Sequence, residues 1–163
     1  MLFRSPTAAY PFGVDRLNGG AGNDTFIAPM NGGFETMPTV DGGSGFDTLD
    51  YSSAPAAISR TDVSPAAVEI YIDGPQATIL GRAVVANFER IIGTSFNDFI
   101  SVNLLNSVHQ TELDGGAGND TLSGAKIVRG GDGDDVVNGP ESVFGDAGND
   151  TISTSVTSSA FGG

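Results

Sequence analysis

Short apolar segments alternate with glycine-rich polar stretches along most of this chain. In the C-terminal part, the apolar residues come in pairs that flank a turn, as Leu113 and Leu122 flank the glycine-rich stretch between them. The segments around Val128 and Val137 are only about three residues long, which is too short for helices but typical of strands. The pattern predicts an all-β protein of short strands joined by tight turns.

A six-residue turn recurs six times, and its clearest copy is Gly115-Gly-Ala-Gly-Asn-Asp120. The fourth residue of the turn is glycine in every copy but one, where Phe96 takes its place. An apolar residue lies two positions before each turn and another at the eighth position, so each turn is expected to lie between two buried residues. The sixth residue is always aspartate: Asp24, Asp47, Asp98, Asp120, Asp135 and Asp150.

The last three aspartates follow one another at intervals of fifteen residues. Fifteen residues accommodate the six-residue turn, a strand, a second short turn at Gly124 or Gly139, and another strand, which together close one coil of a solenoid. Stacked coils pair as parallel strands about 4.8 Å apart, so each aspartate should lie over the aspartate of the preceding coil. Carboxylates at that separation repel unless a cation lies between them.

Calcium fits this position because it takes six to eight oxygen ligands in adaptable geometry and accepts backbone carbonyls as readily as carboxylates. Magnesium requires a tighter octahedron and releases water reluctantly, so it fits less well. The motif Gly-Gly-x-Gly-x-Asp-x-apolar-x also resembles the nonapeptide of the RTX, or haemolysin-type, calcium-binding repeats.

This resemblance implies a parallel β-roll in which the six aspartates bind Ca²⁺ through their side chains and turn glycines contribute carbonyl oxygens. Each ion is then shared between two stacked turns. The glycines implied are Gly19, Gly22, Gly42, Gly45, Gly115, Gly118, Gly130, Gly133, Gly145 and Gly148.

The chain also departs from an uninterrupted nonapeptide array, because its aspartates are spaced 23, 51, 22, 15 and 15 residues apart. We therefore expect calcium on only one edge of the roll, with about two shared ions between Asp120, Asp135 and Asp150. The other edge, at Gly124 and Gly139, should be free of metal. The turn that contains Phe96 lacks two glycines, so it either binds weakly or acts only as a corner.

The length of 163 residues predicts one domain. Residues 17–53 hold the first turns and residues 91–163 a roll whose final Phe161-Gly162-Gly163 resembles the start of another turn. Residues 54–90 are expected to form an irregular β insert or to continue the solenoid, with strands set off by Gly74-Pro75 and Gly81. Residues 1–16 are expected to be a linker or a segment foreign to the fold.

Composition narrows the function. A net charge of −13 argues against binding to nucleic acid or to an anionic membrane surface, and favours bound cations. The absence of cysteine excludes disulfides and thiolate metal sites, so any metal must be held by oxygen. No apolar run is long enough for a transmembrane helix, and the N-terminus lacks the apolar region of a cleaved secretory peptide.

Other motif interpretations fail on detail. No turn carries the lysine of a phosphate-binding P-loop, and a calcium loop of the EF-hand type starting at Asp132 would place valines at its ligand positions. The single histidine, His109, is expected to be solvated, so the sequence predicts no catalytic site. A metal-free solenoid, with Asn and Asp side chains bonding to the backbone at its corners, stays open as an alternative.

The resemblance implies a calcium-binding module of a larger secreted protein, exported by type I secretion machinery and folding in extracellular calcium. The alternative is a polysaccharide-binding module of the alginate type, or an adhesin module, built on the same calcium-stabilised roll.

Overall fold

The computed structural model describes residues 2–4, 16–27, 39–54, 58–64, 67–73, 79–102, 112–154 and 159–162. These ranges contain β-strands of three to eight residues and no helix, so they include no helix that could cross a membrane. The long interval between the first two turns, residues 28–38, lies outside the described ranges, and so does His109. The prediction of an all-β protein built from parallel sheets is confirmed.

One parallel sheet of eight strands, the central sheet, runs through the whole structure. Its strands, in spatial order, are β1 (Leu2–Arg4), β3 (Thr25–Ile27), β5 (Thr48–Asp50), β9 (Arg90–Ile92), β11 (Glu112–Ala117), β13 (Ile127–Asp132), β15 (Ser142–Ala147) and β17 (Ser159–Phe161).

Two smaller sheets supply the other strands of the coils. The N-terminal sheet has the order β2 (Arg16–Asn18), β4 (Thr39–Asp41), β8 (Ile79–Ala86), β7 (Ala67–Asp73) and β6 (Ile58–Ser64). The C-terminal sheet has the order β10 (Phe99–Ser101), β12 (Thr121–Ser123), β14 (Val136–Gly139) and β16 (Thr151–Thr154).

The fifteen-residue interval appears directly in the strand register. Leu113 pairs with Val128, and Val128 with Val143, along the central sheet. In the C-terminal sheet Leu122 pairs with Val137, and Val137 with Ile152. One coil therefore equals one repeat, as the spacing predicts.

The core lies between the central sheet and the two smaller sheets. Most strands of the roll alternate one buried side chain with partly exposed neighbours, as expected for half-buried strands. The apolar residues that bracket the turns are the buried ones, and Ile152 and Leu17 pack against them while remaining partly exposed. The buried residues that bracket turns are Phe26, Val40, Leu49, Ile91, Ile100, Leu113, Leu122, Val128, Val137 and Val143; Tyr51, Ala54, Val102 and Ala125 are buried beside them.

The region between the first turns and β9, residues 54–90, contains both a continuation of the solenoid and an irregular β insert. Strand β8 pairs in parallel with β4 and so continues the solenoid, whereas β6, β7 and β8 pair with one another in antiparallel fashion. Gly81 does not separate two strands as expected: it lies inside β8, opposite Ile72. The expectation that residues 1–16 lie outside the fold also fails for Leu2–Arg4, because these residues pair with β3.

The glycine-rich turns lie on both edges of the central sheet, whereas the sequence led us to expect calcium on one edge only; which turns bind calcium stays a prediction. The turns that end at Asp24 and Asp47 lead into the central sheet, at the N-terminal ends of β3 and β5. The turns that end at Asp98, Asp120 and Asp135 lead out of it, from the C-terminal ends of β9, β11 and β13. In a parallel sheet the N-terminal ends of all strands lie along one side, and their C-terminal ends along the other; here we call these two sides the edges of the sheet. The two groups of turns therefore lie on opposite edges of the central sheet.

The packing predicts unequal effects for two adjacent valines in β14. Val137 is completely buried, whereas Val136 is 49% exposed. Val137→Ala removes buried methyl groups and leaves a cavity, and should lower the free energy of unfolding by about 2 kcal/mol. Val136→Ala should change it by less than about 0.5 kcal/mol. Urea denaturation in identical buffer measures both; equal effects would contradict this arrangement of the core.

Candidate metal centre

The aspartates at the end of each turn form a ladder along the C-terminal edge of the central sheet. The Asp98 N–H donates to Oδ1 of Asp120 at 2.7 Å. The Asp120 N–H donates to Oδ1 of Asp135 at 2.7 Å, and the Asp135 N–H donates to Oδ1 of Asp150 at 3.0 Å. One carboxylate oxygen of each aspartate therefore binds the backbone of the preceding coil, which stacks the side chains in a column.

In most of these residues the second carboxylate oxygen, Oδ2, accepts no hydrogen bond. Oδ2 is buried and accepts no hydrogen bond in Asp47, Asp120, Asp135 and Asp150. A buried acceptor without a donor carries the full cost of losing its water, and the cost is larger for a charged group. These oxygens need a positive partner.

A carbonyl oxygen from the next coil lies close to Oδ2 at the first glycine of these turns, and we call this pair of oxygens the cradle. A Cβ added to Gly115 would collide with Oδ2 of Asp120 and with the carbonyl oxygen of Gly130 in the next coil. The same arrangement recurs at Gly130, with Oδ2 of Asp135 and the carbonyl oxygen of Gly145. In each cradle two acceptor oxygens face the same point, which is an arrangement that suits a cation.

The donor set indicates which cation fits. Within the described ranges no three acidic or histidine side chains converge on one point. A metal at these turns must therefore take backbone carbonyls as well as carboxylates. Calcium accepts this mixture, with six to eight oxygens in adaptable geometry, so the residues present fit the ion that the repeat implies.

The structure separates the predicted glycines into two groups. Those at the first position of the turn lie against the aspartate carboxylates. They are Gly19, Gly42, Gly115, Gly130 and Gly145. Those at the fourth position have positive φ, and for Gly45, Gly118, Gly133 and Gly148 a Cβ would meet the backbone of the preceding coil rather than a carboxylate; Gly22 has open space there. A ligand role for the fourth-position carbonyls stays a prediction.

Burial raises the pKa of two carboxylates in this column. Desolvation raises the pKa of Asp120 from 3.8 to about 7; the hydrogen bond from the Asp98 N–H opposes this rise, and the charges of Asp98, Asp135 and Asp114 add to it. The pKa of Asp135 is raised for the same first reason, with the charge of Asp150 contributing. Asp120 and Asp135 therefore favour a proton or a cation over bare negative charge.

Asp98 differs from the other members of the column. Thr94 replaces the second glycine of this turn, and its N–H donates to Oδ2 of Asp98 at 2.6 Å. The Thr94 hydroxyl donates to Oδ1 at 2.8 Å. Both oxygens of Asp98 therefore have donors within their own turn. This favours the corner role that the sequence leaves open for this copy.

A second ladder, at the fifth position of the turn, is absent from the sequence predictions. The Asp134 N–H donates to Oδ1 of Asn119 at 3.1 Å, and the Asn149 N–H donates to Oδ1 of Asp134 at 2.8 Å. Asn97 and Asn119 repeat the pattern one coil earlier. The recurrent Asn-Asp pair in the sequence carries this signal, because Asn and Asp side chains readily bond to backbone groups in turns.

The first two aspartates form a separate column on the opposite edge. The Asp24 N–H donates to Oδ1 of Asp47 at 2.8 Å. The Asp47 N–H then donates to Oε2 of Glu89 at 2.7 Å, rather than to Asp98. Sequence reasoning missed Glu89 because no glycine-rich turn precedes it; the only signal is a carboxylate directly before an apolar strand.

The raised pKa of Asp120 predicts opposite pH dependences for the free and metal-bound protein. Stabilisation of the metal-free fold by this group is complete below pH 3.8 and is lost as pH rises through about 7. Calcium binding requires the ionised carboxylate, so apparent affinity should fall below about pH 7, by up to about tenfold per pH unit for one linked proton. Calcium titrations at pH 8, 7 and 6 measure this, and an affinity independent of pH would contradict it.

Comparison with known protein families agrees with this geometry. The sequence model of the RTX calcium-binding nonapeptide repeat matches four copies, at residues 12–28, 112–126, 127–141 and 138–155. A search of curated proteins finds no match to the chain. The matched copies include the Asp24 turn on one edge of the central sheet and the turns of Asp120, Asp135 and Asp150 on the other. Over these residues the chain carries repeats that match the RTX calcium-binding nonapeptide.

Proposed function

We propose that this chain is a calcium-binding module whose ions lie between stacked turns and stabilise the roll. One observation carries the proposal: Oδ2 of Asp120 and of Asp135 is buried without a donor, beside the carbonyl oxygen of a first-position glycine from the next coil. An ion between these oxygens offsets the lost hydration and the repulsion along the column. The described residues supply binding groups of this kind, and we assign the module no catalytic role.

Binding and folding are coupled in this proposal. Each cradle needs atoms from two coils, so an unfolded chain offers no comparable site, and the free energy of binding contributes to the stability of the fold. Affinities of about 10⁻⁴ to 10⁻³ M, which are typical of extracellular calcium modules, suffice at extracellular calcium levels. Together with the family resemblance, this supports a module of a larger secreted protein that leaves the cell by type I secretion and folds outside.

Two adjacent carboxylates in one turn provide a matched test. Asp135 is buried in the ion column, whereas Asp134 is exposed and belongs to the fifth-position ladder. Asp135→Asn should weaken calcium binding at least tenfold and shift calcium-dependent folding to higher calcium. Asp134→Asn removes the same charge but keeps an acceptor, and asparagine occupies this position in neighbouring coils, so it should behave like the wild type.

Far-UV circular dichroism during calcium titration measures both variants. The wild-type chain should change from disorder to β-structure as calcium rises to millimolar levels. A spectrum that is fully folded in chelator and unchanged by calcium would refute the coupling. Equal losses in Asp135→Asn and Asp134→Asn would show that net charge, and not the buried cradle, controls the response.

A second function, binding to an anionic polysaccharide, is favoured by one surface feature. Along the outer face of the central sheet, the Arg129 guanidinium lies 4.3 Å from the ring centroid of Phe144. Phe144 stacks on Phe161 with centroids 5.0 Å apart, and Phe161 is 52% exposed. A cation beside exposed aromatic rings suits a sugar acid, which offers both a carboxylate and an apolar ring face.

This second function has its own test. Mobility of the calcium-loaded protein in a gel containing alginate should be retarded, and Arg129→Ala with Phe161→Ala should abolish the retardation. Lys126→Ala removes an equal charge directly before β13, away from the aromatic rings, and should leave the retardation intact. Wild-type mobility that is unaffected by alginate would leave calcium binding as the function of the module.

A further inference from the structure

The turn before β9 is unlike the repeats, although it occupies a place in their stack. It consists of only three residues, Asn87–Glu89, and contains no glycine. Thr48 pairs with Arg90 in the central sheet, so Glu89 holds the position in its coil that Asp47 holds in the preceding one. The matched family repeats do not include these residues.

Glu89 makes the contact that an aspartate makes elsewhere in the ladder. Its Oε2 accepts the Asp47 N–H at 2.7 Å, just as Oδ1 of Asp47 accepts the Asp24 N–H at 2.8 Å. The Glu89 side chain is 4% exposed, so its carboxylate lies in the same dry environment as the column below it. The extra methylene of glutamate lets a shorter turn reach the same point.

Asn87 completes the cradle. It has a φ of 55°, in the left-handed region that the repeat turns reserve mostly for glycine. A Cβ on Gly42 would collide with the carbonyl oxygen of Asn87 and would lie 2.8 Å from Oδ2 of Asp47. That Oδ2 belongs to a fully buried residue and accepts no hydrogen bond. The unpartnered oxygen therefore faces the Asn87 carbonyl, as Oδ2 of Asp120 faces the Gly130 carbonyl.

We propose that Asn87–Glu89 and the turn Gly42–Asp47 form a further calcium site that lacks the repeat signature on one side. The Asp47 carboxylate and the Asn87 carbonyl face the ion, and Glu89 supplies the second negative charge. The site closes the N-terminal ion column at the point where the turns change edge. This inference rests on the proposed calcium-binding function and adds one ion to it.

Glu89→Gln tests the site with little change in shape. Glutamine keeps an oxygen to accept the Asp47 N–H but removes the negative charge. Glu141→Gln is the matched control, because Glu141 directly precedes β15 on the same edge of the central sheet yet is exposed, 4.0 Å from Lys126. Isothermal titration calorimetry of the full chain with Ca²⁺ should give one ion fewer for Glu89→Gln, or one ion bound at least tenfold more weakly, and no change for Glu141→Gln.

Each other outcome is decisive. Wild-type stoichiometry and affinity in Glu89→Gln would overturn the site while leaving the proposed function intact. Failure of Glu89→Gln to fold at saturating calcium, judged by circular dichroism, would also overturn it, since Glu89 would then have a structural role only. Absence of calcium binding by the wild-type chain would refute the proposed function itself.

Discussion

Burial of like-charged carboxylates at the spacing of parallel strands is the constraint on which this structure depends. The turns place Asp120 and Asp135 in successive coils, each nearly inaccessible to water. One oxygen of each is satisfied by the backbone of the neighbouring coil, and the other is not. The unpartnered oxygens favour protons or cations over bare negative charge, and this imbalance is the basis for the proposed coupling of calcium binding to folding.

The central sheet carries stacked aspartate turns on both of its edges. Its strands run in one direction throughout, but the glycine-rich turns enter it in the N-terminal half and leave it in the C-terminal half. The change falls at β9, which follows Glu89 and precedes the turn of Asp98. Both flanking turns are atypical: one lacks glycine, and in the other Thr94 donates to both oxygens of the aspartate. The irregular copies thus mark the crossing between two columns.

Sequence periodicity predicted the C-terminal coils closely because a fixed interval of fifteen leaves one register for Leu122, Val137 and Ile152. The edge change could not be predicted, since it depends on which strand follows each turn after the insert. The sequence did not predict the contact between Glu89 and the Asp47 N–H, because this contact depends on strand register and side-chain length rather than on a motif. The sequence did not predict the fifth-position ladder either, because Asn119 resembles an ordinary turn residue until its partner in the next coil, Asp134, is known.

The two ladders also have opposite directions, and this bears on how the roll assembles. At the sixth position, the N–H of an earlier coil donates to the carboxylate of a later one; at the fifth, the N–H of a later coil donates to the side chain of an earlier one. Each ordered coil therefore exposes both a donor and an acceptor on its rim as a template for the next. Growth of this kind resembles a zipper, in which the first pair of coils is the slow nucleus and each addition afterwards is fast.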